Sequence, residues 1–352
     1  MLTSTDLVTW KVHARWSTSG PPGRAGYAVR NDDGIPAEIR GLANMGAGTY
    51  TDTDWGRYDN NDAQARVSSW GLLQSQGPWI KRTVWAPGVA QLGSTWFSYS
   101  AVRTSTSSDD PNGFGRFCIT MATATSPSGP FRDVSGTGPV QCQSTSADPA
   151  GSIDPFPFVD TNGGANYLLW KAAGKRALAG VTNPHPSAIY AAPIGSNGKL
   201  VAGKAPVKLL ETREGGWEGF TIENGSMIRY NGRYYLFYSG NYSGVDDASG
   251  HSRYATGYAI CPSGPRAACV RQTVNGPLLG STSTEYGPGG ATPFVDTAGK
   301  LRLAYAFFWP GENRTDQGAA EHQHHPRRLN IATLSVAADG KLTAVRRAWK
   351  AQ

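Results

Sequence analysis

The chain has 352 residues, of which 39% are hydrophobic and only 17% charged, with 44 glycines and 23 prolines. Its formal charge of +7 comes from lysines and arginines scattered without a basic stripe or an RNA-reading motif, so no nucleic-acid partner is expected. No apolar run is long enough to span a bilayer, and no membrane association is expected. That length allows one large all-β domain or two ordinary ones. The lack of helical periodicity sustained over three turns favours the all-β class.

Residues 2–16, LTSTDLVTWKVHARW, read as a short turn-and-strand segment. Residues 17–60 are rich in Gly, Asp and Asn and read as an irregular insertion. From Val84 a rhythm sets in: a short segment, a small turn, then an aromatic strand. These strands, WFSY, YLLW, YLFY and RLAY, end at Tyr99, Trp170, Tyr238 and Tyr305, at intervals of 71, 68 and 67 residues. A further strand follows each one: RFCITMATA, SAIYAAPI, TGYAICPS and NIATLSV. Asn197-Gly198 and Asp339-Gly340 supply turns after two of them. A period near 70 with about four strands per unit predicts a large-bladed β-propeller. We expect one all-β domain, a five-bladed β-propeller whose first blade is incomplete. Blade 1 takes part of 1–70, and the others take 82–150, 151–215, 216–285 and 286–350. A β-sandwich with coincidental spacing is the alternative.

The chemistry centres on Trp217–Gly240, WEGFTIENGSMIRYNGRYYLFYSG. Asn231-Gly232 predicts a tight hairpin, because both residues tolerate positive φ. Tyr234 to Tyr238 form its aromatic second strand, and Glu223 stands near the start of the first. Counted from the aromatic anchors, Asp154 lies 16 residues before Trp170 and Glu223 lies 15 before Tyr238. Repeat geometry would bring two such carboxylates to one channel mouth, where environments that push two pKa values apart assign acid and base. Trp85, Trp217, Tyr286 and Trp309, close to turns, are candidate platforms for sugar rings. Taken singly, Asp154 could cap a turn before Pro155, and Glu218 and Glu223 could be solvated edge residues. The six histidines show no metal-binding spacing, and the EHQHH run at 321–325 reads as a surface loop, so no metal is expected. Cys118/Cys142 and Cys261/Cys269 are locally paired without CxxC spacing. Each pair is read as a disulfide staple, which suits an oxidising compartment, with four buried thiols as the alternative.

These segments resemble glycoside hydrolase family 43, five-bladed propeller enzymes acting on arabinan, arabinoxylan and xylo-oligosaccharides. STDLVTW at 4–10 is similar to the family's StDLvnW, and VWAPGV at 84–89 to vWAPdV, with Gly88 where aspartate is common. GSIDPFPFVD at 151–160, followed by YLLWK, resembles the segment carrying the aspartate that modulates the acid's pKa, which falls on Asp154. The WEGFTIENG segment resembles the one carrying the general acid, which falls on Glu223 rather than Glu218, with Gly225 in place of the usual proline. YGPGGATPFVD at 286–296 resembles the last blade's GPGH or GPGG segment, and RRLNIATLSVAADGKL closes it. The family's cysteines in comparable places are similar to the two pairs here.

The resemblance implies a glycosidase that inverts the anomeric carbon. Glu223 would protonate the leaving oxygen, with its pKa raised by ionised Asp154. A second aspartate would activate water, about 6.5–9.5 Å from the acid. The family places that base upstream of the StDLvnW segment, and Ser4 is too near Met1 for any residue here to match it; nothing aligns Asp32 or Asp33 with the role. The expectation is a late-starting chain, lacking base, blade strands and export signal together, and weakly active as it stands. A non-catalytic carbohydrate-binding propeller is the runner-up, followed by a structural one. The resemblance also implies a secreted monomer without cofactor. Calcium in the channel stands as the alternative, weakened because Gly290 stands where some relatives carry histidine.

Overall fold

The computed structural model describes residues 2–3, 11–12, 79–104, 117–127, 132–133, 139–142, 151–161, 164–173, 186–213, 215–244, 251–308 and 327–348. The chain divides into two compact units, residues 1–159 with 194–200 and residues 160–193 with 201–352.

In the first unit, β1 (Leu2–Thr3) and β2 (Lys11–Val12) pair antiparallel, where the sequence predicts a short turn and strand. β3 (Trp79–Leu92), β4 (Thr95–Thr104), β5 (Phe117–Ala124) and β6 (Arg132–Asp133) follow one another across a sheet. β7 (Gln141–Cys142) also pairs with β5, opposite Cys118 and Ile119, and the Cys118–Cys142 disulfide crosses that pairing. β8 (Ser152–Val159) comes next, and Gly151 just before it bridges to Phe117. The WFSY run lies in β4, buried at Phe97, Ser98 and Tyr99. The Tyr99 hydroxyl donates to the Gly198 carbonyl at 2.7 Å, in the predicted Asn197-Gly198 turn. Burial pushes this phenol well above its ordinary range, so it stays a neutral donor.

The second unit repeats one antiparallel plan. β9 (Asn166–Ala172), β10 (Ala188–Ile194) and β11 (Val207–Glu211) lie side by side. β12 (Ile222–Tyr230), β13 (Arg233–Gly240), β14 (Ala255–Cys261) and β15 (Val270–Arg271) make a four-stranded sheet. β16 (Tyr286–Val295), β17 (Leu301–Phe308), β18 (Arg328–Val336) and β19 (Leu342–Arg346) make another. The Asn231-Gly232 hairpin forms as expected, both residues with positive φ and Tyr230 facing Arg233. Cys261 is joined to Cys269 beyond β14.

β13 is buried from Tyr234 to Gly240, so both of its faces are covered. Its sequence is accordingly a continuous apolar and aromatic run rather than an alternation. Tyr235 and Phe237 share a core with Tyr258, Leu303, Tyr305, Phe307 and Leu334 from the last two sheets. Polar ties cross between these sheets: Tyr235 donates to the Gly340 carbonyl, Ser226 to that of Ala291 and Thr256 to that of Pro288. A meander repeated in this way is the unit of a β-propeller, and the sandwich alternative falls. The described residues hold four such sheets, not five. The fifth blade was expected from 1–70, where only β1 and β2 are described.

Candidate active site

Glu223 opens β12, and the local structure aims it. The Ile222 amide donates to Ser187 Oγ at 2.8 Å and to Thr212 Oγ1 at 3.0 Å, which fixes the strand's entry. Glu223 then faces Ser239 on β13, but Ser226 faces Phe237, so β12 carries one extra residue. Asn224 takes up this bulge at φ 52°. A bulge re-aims a neighbouring side chain and is common beside active sites. Gly225 closes it: a Cβ there would lie 2.7 Å from Ile189 Cγ2.

The same device recurs. β3 is bulged between Trp85 and Gly88, with Ala86 at φ 44°. β16 is bulged between Tyr286 and Gly289 and again between Gly289 and Thr292. Asp154, buried on β8, has φ 53°. Asp154 thus shares a left-handed φ with Asn224 and Ala86.

Both oxygens of Glu223 are held. Lys171 Nζ, from the end of β9, donates to Oε2 at 2.8 Å, and the Tyr254 hydroxyl donates to Oε1 at 2.5 Å. The Lys171 side chain is 9% exposed and that of Glu223 16%. Asn224 Nδ2 donates to the Tyr254 hydroxyl at 2.7 Å. Arg327 lies over the Tyr254 and Phe308 rings, 5.0 and 4.7 Å from their centroids, and donates to the Ser243 carbonyl. Gly289 lets the Tyr254 ring in, since a Cβ there would lie 2.1 Å from Cε1.

Burial pushes the Glu223 carboxyl upward, but Lys171, Tyr254 and Arg327 more than offset it and leave the group below its ordinary range. Within this unit the carboxyl is thus held ionised, where a raised pKa was expected. Tyr254 moves the other way, well up, through burial first and Glu223 second.

Other expected residues have different surroundings. Glu218 is no solvated edge residue: it is 2% exposed, bound by Arg271 Nε at 2.6 Å, the Tyr238 hydroxyl at 2.7 Å and the Arg213 amide. The Trp217 ring stacks on Tyr238, and its N–H donates to the Thr273 carbonyl at 2.6 Å. These contacts anchor the tryptophan in the packing around β13. Tyr286 stands at the start of β16, its hydroxyl 3.0 Å from His251 Nε2 and the two rings edge to face. The Trp85 side chain, Trp309, Asp32, Asp33 and the 321–325 run lie outside the described residues. Gly290 presents no side chain to a cation, and among the described residues no three of His, Cys, Asp or Glu converge.

Lys171, Tyr254 and Arg327 carried no role in the sequence. A lysine directly after the fully apolar LLW of a buried strand was the one available signal.

Among solved structures, the chain is similar to a thermostable family-43 glycoside hydrolase, at 23% identity and a TM-score of 0.57 over 82% of this chain and 81% of that one. It is similar to an α-L-arabinofuranosidase from Lactobacillus brevis, at 21% identity and 0.57 over 79% of each chain. An endo-1,4-β-xylanase from Bacteroides thetaiotaomicron shares 25% identity and a TM-score of 0.50, over 74% of this chain and 75% of that one. No curated protein sequence matches. The sequence profile of glycosyl hydrolases family 43 matches residues 66–341, and the chain accordingly belongs to that family of glycosidases.

Proposed function

We propose that the protein cleaves glycosidic bonds in arabinose- and xylose-containing plant polysaccharides or their oligosaccharides, with inversion, and that Glu223 is the general acid. The observation that carries this reading is a half-buried carboxylate, held on both oxygens and re-aimed by a bulge, in the segment that resembles the family's acid-bearing motif. The likeness to an arabinofuranosidase and a xylanase supports the pentose substrate class. Asp154 takes the pKa-modulating role on the likeness of its motif, and Tyr286 is the described aromatic proposed to meet a sugar ring. Two disulfides favour an oxidising, extracellular location. Among the described residues no helix is long and apolar enough to cross a membrane.

The test is sugar release from linear arabinan, xylan and arabinoxylan by the protein and by Glu223→Gln. The variant is expected to lose about 10²–10⁴ in rate while retaining oligosaccharide binding by calorimetry. Hydrolysis by Glu223→Gln at the parent rate removes the assignment. Binding without hydrolysis by the parent chain favours a carbohydrate-binding propeller.

A further inference from the structure

Lys171 is a costly residue to bury. An ammonium moved out of water is stabilised only when its charge is matched and its donors are used. Here it is the next-to-last residue of a strand whose burial is continuous from Tyr167 to Ala172, and it reaches across to β12, 52 residues further along the chain. It meets Glu223 Oε2 at 2.8 Å, while Tyr254, from before β14, meets Oε1 at 2.5 Å. Two donors on two different oxygens define the plane of a carboxyl group, where one would leave it free to rotate. Asn224 and the Arg327 stack hold Tyr254 in turn.

We propose that Lys171 is a positioning residue for the acid, its ammonium and the Tyr254 hydroxyl together fixing the carboxyl plane and governing the protonation of Glu223. The proposal rests on Glu223 as the acid for its consequence in catalysis, but the clamp itself is measurable without substrate. Among the described residues of this unit, the charged and titratable groups that act on Glu223 are Lys171, Tyr254 and Arg327. Of these, Lys171 has the largest lowering effect, and burial alone works the other way. Removing the ammonium therefore lets burial dominate and raises the pH at which the carboxyl gives up its proton. In catalysis this moves the alkaline limb of the rate profile upward, because the acid stays loaded to higher pH.

The experiment follows the side-chain carboxyl 13C resonance of Glu223 against pH in protein labelled at glutamate, the signal being assigned by its loss in Glu223→Gln. Lys171→Met is expected to raise the midpoint by about one pH unit or more, the usual effect of losing an opposite charge at this range. Lys171→Arg keeps the charge and is expected to stay near the parent. Tyr254→Phe keeps the ring against Gly289 and is expected to shift the midpoint the same way by less. An unchanged midpoint in folded Lys171→Met overturns the proposal. If that variant does not fold, the Tyr254→Phe midpoint decides: a rise supports the clamp and no change overturns it. Where the protein hydrolyses substrate, the alkaline limb must move with the resonance. Parent-like hydrolysis by Glu223→Gln removes the acid assignment and leaves the resonance result standing.

Discussion

Glu218 and Glu285 show what a buried carboxylate does when it is structural. Each stands twenty residues before a tyrosine whose hydroxyl it accepts, Tyr238 at 2.7 Å and Tyr305 at 2.9 Å. Each also meets an arginine from the outermost strand of its sheet, Arg271 at 2.6 Å and Arg346 at 3.1 Å. Glu223 differs in its partners: a lysine from another sheet, and a tyrosine that arrives only because Gly289 has no side chain. The side chains that bind the structural carboxylates come from their own sheets, and removing one carboxylate leaves its arginine without a counter-ion. Glu218→Leu is expected to cost about 3–5 kcal/mol, measured by urea unfolding. Adding Arg271→Met should recover part of that loss, since an apolar pair of similar volume replaces a buried ion pair at little cost.

Strands carry the next level of the argument. The Glu223 hairpin was legible in the sequence because its signals are local: Asn231-Gly232, an aromatic run, and an acid a few residues upstream. The four aromatic strands were legible through their period. Lys171, Tyr254 and Arg327 were not, because a propeller sheet packs against a neighbour some seventy residues away, and no periodicity within one strand reports which side chain crosses over. The bulges escaped for a related reason: nothing in the residue types at Ala86 and Asn224 marks an extra residue in a strand, and a count of spacings slides by one wherever one enters. The packing of Trp217 was not legible, because a tryptophan next to a turn serves equally well as a platform or as a plug. Gly289→Ala tests how far the site depends on close strand approach. Its Cβ must displace the Tyr254 ring, which draws the hydroxyl away from Glu223. The expected loss is about 1–3 kcal/mol by thermal melting, accompanied by a rise of the Glu223 titration midpoint.

For the molecule as a whole, the two disulfides act on the unfolded chain more than on the site. Cys118–Cys142 spans 24 residues and Cys261–Cys269 spans 8. Loop-closure entropy makes the longer span worth more by about 1 kcal/mol. Replacing Cys118 and Cys142 with serine should therefore lower the melting temperature further than the same change at Cys261 and Cys269, as calorimetry of the two double variants would show.

The tyrosine ties carry a consequence for how the protein is made. In one unit Tyr99 reaches the carbonyl of Gly198, and in the other Tyr235 reaches that of Gly340, 99 and 105 residues further along. A ribosome needs about 5–20 s to add that much chain. For all of that interval a hydroxyl destined for a dry interior has no acceptor. Each newly made blade must therefore wait, hydrated and open on one side, for its successor. The nascent chain closes in the order of translation, and a pause in synthesis between two blades is when it most needs a chaperone.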